Sequence, residues 1–184
     1  KDYGAIGDGL NDDTTSIKNA IAYAINKPYS TLLFPAEFEY LVSSPLVIET
    51  PINIIMESPI AFNGNGIALT VGKSGEIIVG VDLKLNVYRK GILSWENISN
   101  IGIKLINLYH CRVDIVACYN HTIGVQCMGS VRGFVYNTML LRYLVDNKYG
   151  LDLTNELNGW CNENLFLNGR FAKFSSNTIA EPCY

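Results

Sequence analysis

KDYGAIGDGLNDDTT, Lys1 to Thr15, is the stretch on which the reading of the whole chain turns. Gly4, Gly7 and Gly9 stand two or three residues apart. Such spacing predicts sharp turns through backbone angles that glycine reaches cheaply. The stretch closes on Asp12, Asp13, Thr14 and Thr15, short oxygen-bearing side chains suited to capping a helix. The next residues fit that start. Ile17, Ala20, Ile21, Ala24 and Ile25 recur at helical spacing, which predicts one amphipathic helix of about three turns over 14–26. Lys27, Pro28, Tyr29 and Ser30 stop it.

Beyond residue 30 no second helical stripe appears. Short β-rich runs take over, separated by Gly, Asn, Ser and Pro: 31–34, 46–49, 52–56, 67–71, 76–79 and 83–88. Runs of this kind fit a sandwich, a barrel or a solenoid. An internal repeat favours the solenoid. GIALTVG, GIKLINL, GVQCMGS and GLDLTNE begin at Gly66, Gly102, Gly124 and Gly150, giving steps of 36, 22 and 26 residues. That is the length of one solenoid turn, with insertions entering at corners. The longer first step predicts one enlarged coil or two short ones. RVDIV (Arg112 to Val116), FVYNTM (Phe134 to Met139) and NLFLNGRF (Asn164 to Phe171) interleave as a second rung. Asn53, Asn63, Asn97, Asn107, Asn120, Asn137, Asn147, Asn155 and Asn168 fall near strand ends, where asparagine tolerates tight corners and can stack as a ladder. The expectation is an all-β right-handed parallel β-helix, five to seven coils long, whose open first coil is covered by the single N-terminal helix. Residues 1–30 form the turn and capping helix and 31–184 the coils of one domain. An immunoglobulin-like or jelly-roll sandwich is the alternative.

The residues YGAIGDGLNDDTTSIKNAI and LLFPAEFEYLVSSPLVI (Leu32 to Ile48) resemble the opening of the pectate-lyase superfamily. In that group a GA-x-GDG-x-x-DDT pattern leads into the capping helix, and the first coil is written around a FPAG-x-Y turn. Here Glu37 and Phe38 follow Ala36 in place of the glycine, so that turn is reshaped. GWCNENLFLNGRF (Gly159 to Phe171) is similar to coils of bacteriophage tailspikes. The resemblance implies the fold, and it implies three function classes. The first is a tailspike or tail receptor-binding protein of a phage virion, a homotrimer alongside other tail proteins, which binds a bacterial surface polysaccharide with or without depolymerising it. The second is a secreted or cell-surface bacterial polysaccharide lyase or glycoside hydrolase. The third is a non-catalytic structural module. The NTD, GDD, Gly-His-Gly and RIK signatures of polygalacturonase-like enzymes are absent. No cofactor is implied, apart from calcium if the chain is a lyase.

Composition bounds partners. The 184 residues are 48% hydrophobic and 17% charged with a net charge of −3. No apolar run reaches membrane-spanning length and no basic block occurs, so neither membrane insertion nor nucleic acid is indicated. Lys1 in place of Met points to a segment of a longer polypeptide. Cys111, Cys118, Cys127, Cys161 and Cys183 are odd in number without a CxxC pair. They read as reduced, mostly buried thiols. A zinc site from His110, Cys111, Cys118, His121 and Cys127 is the sharper alternative, and its spacing fits no usual finger.

Candidate chemistry follows from strand alternation. Leu151 and Leu153 point inward and Asp152 outward, in register with Lys104 and Gln126; Asp114 points outward between Val113 and Ile115. Asp152, Glu156, Arg170 and Asp114 are the candidate catalytic groups. Trp160, Tyr143 and Tyr149 are the candidate sugar-stacking platforms. The plain alternative for all seven is a solvated solenoid face. Asp8, Asp12 and Asp13 read as turn and cap groups, since the calcium-loop pattern is missing. His110 and His121 read as turn or core histidines.

Overall fold

A computed structural model describes residues 3–91 and 99–172. Asn97, Cys183 and the predicted coil residues beyond 172 lie outside the described residues. The chain opens with β1 (Asp8–Asp12) and α1 (Thr14–Ala24). Two turns of short strands follow: β2 (Thr31–Phe34), β3 (Glu39–Val42) and β4 (Leu46–Ile48), then β5 (Asn53–Met56), β6 (Ile60–Phe62), β7 (Leu69–Val71) and β8 (Ile78–Val79). Longer strands then dominate: β9 (Asp82–Arg89), β10 (Ile101–Ile106), β11 (Leu108–Tyr109), β12 (Arg112–Tyr119), β13 (Ile123–Ser130) and β14 (Gly133–Val135). The last described turns are β15 (Thr138–Val145), β16 (Tyr149–Glu156), β17 (Trp160–Asn162) and β18 (Leu165–Ala172).

Three parallel sheets run along the molecule. The first is nine-stranded along β1-β3-β6-β9-β12-β15-β18, with β2 and β5 beside that path. The second is β16-β13-β10-β7-β4 and the third β17-β14-β11-β8. Asp82, Arg112, Thr138 and Leu165 are in register, so one turn consumes 26 to 30 residues. This is the expected parallel β-helix of about six turns with one short helix. Inward positions stack aliphatics on aliphatics, as Leu83 on Val113 on Met139 and Leu85 on Ile115 on Leu141, all at most 2% exposed. Each such burial stabilises by roughly 1.5–3 kcal/mol.

The repeat lands where the sequence places it, with one correction. Gly102, Gly124 and Gly150 align on the second sheet, but Ile103 pairs with Leu69, so Ala68 and not Gly66 stands in the column. Gly66 forms a left-handed corner at φ 85. The gap between β7 and β10 is one enlarged turn. The column glycines are required by close approach: a Cβ at Gly102 would lie 2.4 Å from Cys118 Sγ, and one at Gly124 2.7 Å from Asn147 Nδ2. FVYNTM is not a single rung. It leaves β14, turns the corner at Tyr136 and Asn137, and enters β15.

The corners are held by three buried asparagines. Asn107, Asn137 and Asn147 are at most 2% exposed and occupy the three different corners of a turn. Asn137 Nδ2 donates to Leu108 O at 2.9 Å while its Oδ1 accepts from Cys111 N at 2.9 Å, both one turn away. Asn147 repeats this with Cys118 O and His121 N, each at 2.9 Å. Asn107 joins Lys73 O and Ser130 on its two sides. A carboxamide carries the donor and the acceptor needed to satisfy a neighbouring turn's orphaned backbone groups.

The N-terminus departs from a pure turn. Gly7 and Gly9 adopt φ 72 and 70, and between them the chain starts β1, pairing with β3. The N-cap position belongs to Asp13, which makes no side-chain cap. Its carboxylate instead accepts from Ile6 N at 2.7 Å and Gly7 N at 3.0 Å, clamping the glycine turn. Asp12 takes Thr14 N at 2.9 Å and Ser43 Oγ, and the Ser43 hydroxyl, then Thr14, holds its carboxyl below the usual range. Ile17, Ile21 and Ala24 join the core, but α1 ends at Ala24, leaving Ile25 37% exposed.

Candidate functional site

The outer face of the first sheet gathers the charged side chains most closely. In β12 the register with β9 slips between Ile115 and Ala117, a β-bulge. The irregularity continues upward. In β15 the consecutive residues Arg142 and Tyr143 are both exposed. In β18 Asn168 and Gly169 take φ 61 and 125. A bulge re-aims side chains and breaks strict alternation. Here it turns Tyr143 outward beside Arg142, which reaches diagonally to Asp114: Nε donates to Oδ1 at 2.7 Å and Nη2 to Oδ2 at 2.8 Å. Asp114 raises the Arg142 guanidinium above its ordinary value. Arg170 pairs with Tyr143 across the strands and lies 5.8 Å from its ring centroid, a cation–π arrangement. The register sets side-chain-free Gly169 beside Arg142, leaving a depression of about 470 Å³ over the two arginines. A second depression of about 460 Å³ lies on the same face along Asp82, Lys84, Arg112 and Asp114. Together they carry four cations against two carboxylates, in a chain whose net charge is −3.

The seven candidates from the sequence fall on three faces. Asp114, Tyr143 and Arg170 meet on the first sheet. Asp152, Glu156 and Tyr149 lie on β16 in the second sheet, beyond the corner at Asn147. Asp152 has the expected register with Gln126 and accepts from its Nε2 at 2.7 Å. Glu156 accepts from Ser130 Oγ at 2.8 Å, and Ser130 also bonds Ser74. The ammonium of Lys148 lies 5.8 Å from the Tyr149 ring. Trp160 sits on β17 in the third sheet with its indole over Gly133. Leu153 is at an inward position opposite buried Cys127, yet 48% exposed, because β16 is the last strand of its sheet among the described residues. Sequence reasoning missed Arg142, Arg112 and Lys84. The signal for Arg142 was a 28-residue offset from Asp114, one 26-residue turn plus the two-residue step to the next outward position.

Several other titratable groups serve the fold. Buried Glu39 bonds Lys90 and the Tyr88 hydroxyl, Lys90 Nζ reaches Gly9 O at 2.7 Å, and Tyr88 stacks on Tyr119 at 4.8 Å. Desolvation and the Glu39 bond push the Tyr88 phenol up. This network pins β1 to β9. Cys111, Cys118 and Cys127 are buried free thiols, pushed up by desolvation, and Cys161 is half-buried. Among the described residues no three His, Cys, Asp or Glu side chains gather into a metal-binding group, so the zinc alternative is not formed there. His121 is fully buried and, among the described residues, neither ring nitrogen is hydrogen-bonded; it lies beside Arg89, whose Nη1 is likewise buried without a partner there. Desolvation first, and the Arg89 charge second, lower its pKa to about 3. His110 is exposed at a corner.

No protein-family model matches the sequence, and no curated protein matches it. Among solved structures, ORF18 of Geobacillus virus E2 is similar over 92% of this chain, with a TM-score of 0.73 and 21% identity. The chain spans 35% of that protein. The A-module of mannuronan C-5 epimerase AlgE4 from Azotobacter vinelandii is matched over 89% of this chain and 55% of its own length, at 16% identity and a TM-score of 0.44. The viral likeness agrees with the sheet topology on the fold alone, and the class that follows is a parallel β-helix. Among the described residues no helix is long and apolar enough to cross a membrane.

Proposed function

We propose that this chain is the β-helical part of a phage tailspike-like virion protein and that it binds a bacterial surface polysaccharide along the outer face of the first sheet. The observation that carries the binding is the bulge, which sets Arg142, Tyr143 and Arg170 side by side over an open depression. An aromatic ring flanked by guanidinium groups suits a sugar ring bearing hydroxyl or carboxylate groups. Both oxygens of Asp114 already accept from Arg142. That geometry suits positioning of a ligand more than proton transfer, so binding is the activity the face supports best. The likeness to a viral protein supports the virion setting. On this reading the chain works as a homotrimer with other tail proteins and needs no cofactor; calcium would enter only with lyase chemistry.

The test is a binding titration against purified bacterial surface polysaccharides, with Arg170→Ala and Tyr143→Ala compared at two salt concentrations. A loss of roughly tenfold in each variant, and weaker wild-type binding at high salt, are expected. Retained affinity in both variants would remove the face from the reading. Release of unsaturated uronates from a bound polymer would move the assignment to a lyase.

A further inference from the structure

At the corner joining the third sheet to the first, Gly80, His110, Tyr136 and Glu163 occupy equivalent positions in four successive turns. All four are left-handed, at φ 66, 52, 56 and 55. Gly, Asn, Asp and His adopt this conformation more readily than other residues, whereas a bulky side chain such as that of Tyr136 clashes with its own backbone. Strain held where a cheaper residue would serve points to a use for the side chain.

The rings do not serve the core. His110 is exposed and Tyr136 is 44% exposed. They form a cluster facing outward instead. His110 stacks on Tyr136 with centroids 5.1 Å apart and planes 13° apart, and Tyr109 stands perpendicular to both at 4.5 and 5.3 Å. Glu163, in the next turn, raises the Tyr136 phenol above its ordinary value. Beneath His110 the column has only Gly80, where an added Cβ would meet nothing within 4 Å. The result is a notch with an imidazole roof, a phenol wall and a bare backbone floor.

We infer that this notch is a saccharide-stacking subsite on the rim of the first-sheet face, taking one pyranose ring of the glycan against His110 and Tyr109. The inference rests on the glycan-binding reading above. His110 and Tyr136 lie two residues before Arg112 and Thr138, which line the depression on that face, so one chain of sugars reaches both. A pyranose offers an apolar C–H face to an aromatic ring, which is what His110 and Tyr109 present.

His110→Asn and Tyr136→Asn test it, because asparagine suits the left-handed corner and preserves the fold. The probes are defined hexasaccharides, neutral and uronate-bearing, titrated calorimetrically and by ring-carbon NMR of the two histidines, with His110→Asn giving the assignment. Expected are a shift of the His110 signal without one at buried His121, a five- to tenfold loss of affinity in each variant, and a Tm equal to or above wild type. Wild-type affinity in both variants, with an unmoved His110 signal, overturns the subsite and leaves the glycan reading standing. Failure of the wild-type chain to bind any probe or purified surface polysaccharide overturns both.

Discussion

Protonation of His121 should set the acid limit of the fold. Its ring is fully buried, both nitrogens lack partners among the described residues, and Arg89 adds an unfavourable positive neighbour. Folded, it takes a proton only near pH 3; unfolded, near its ordinary 6.5. The folded pKa is depressed, so between these values the unfolded chain binds more protons and low pH favours unfolding. The stability conferred by the neutral ring is complete above about pH 6.5 and falls by about 1.4 kcal/mol per pH unit below it. Across the whole window the loss approaches roughly 5 kcal/mol, comparable with the total stability of many domains. Asp8, whose carboxyl is held down by the amides of its own turn, and Asp12, held down by the Ser43 hydroxyl and then Thr14, add their own loss at lower pH. A His121→Leu variant separates the contributions, since leucine removes the titrating ring and leaves the backbone bond to Asn147 in place. Urea unfolding followed by circular dichroism at pH 7.5, 6.0, 5.0 and 4.5 gives the slope for each protein. The wild type should lose stability through this range and the variant should stay nearly flat to pH 4.5. Equal slopes, or a His121 ring signal that titrates near 6.5, would refute the account.

Two further outcomes follow from the corners and the core. Asn137→Ala orphans the buried Cys111 N–H and Leu108 carbonyl of the neighbouring turn. It should destabilise by roughly 2–4 kcal/mol in urea unfolding, and a loss below about 0.5 kcal/mol would mean that water replaces the ladder. In a Cys183→Ser background, Cys111, Cys118 and Cys127 should resist a thiol reagent until the chain unfolds, with Cys161 reacting first. Rapid native labelling of three or more thiols would contradict the packing.

Much of the solenoid was legible because its signals are local. The helical stripe from Ile17 to Ala24, the rungs at Gly102, Gly124 and Gly150, and the outward register of Asp152 on Gln126 and Lys104 need only periodicity. Asn107, Asn120, Asn137 and Asn147 were legible as corner residues, and Asn107, Asn137 and Asn147 turn out to bridge turns, whereas Asn155 and Asn168 lie within β16 and β18. Legibility failed where one residue's placement depended on another turn. Gly66 resembled a column glycine but belongs to a corner, since the enlarged turn after it hides the true spacing. Asp13 resembled a cap but clamps Ile6 and Gly7, because the turn brings those amides to it.

The sequence by itself therefore determined the stacking: alternation settles which side chains face inward, and an inner face that no single turn can bury forces turns together. Only the tertiary structure decided which outward side chains meet. Turns of 26 to 30 residues and one bulge displace the register by amounts no local pattern records. They bring Arg142 to Asp114 and Arg170 to Tyr143, while corners carry Asp152, Glu156, Tyr149 and Trp160 to other faces.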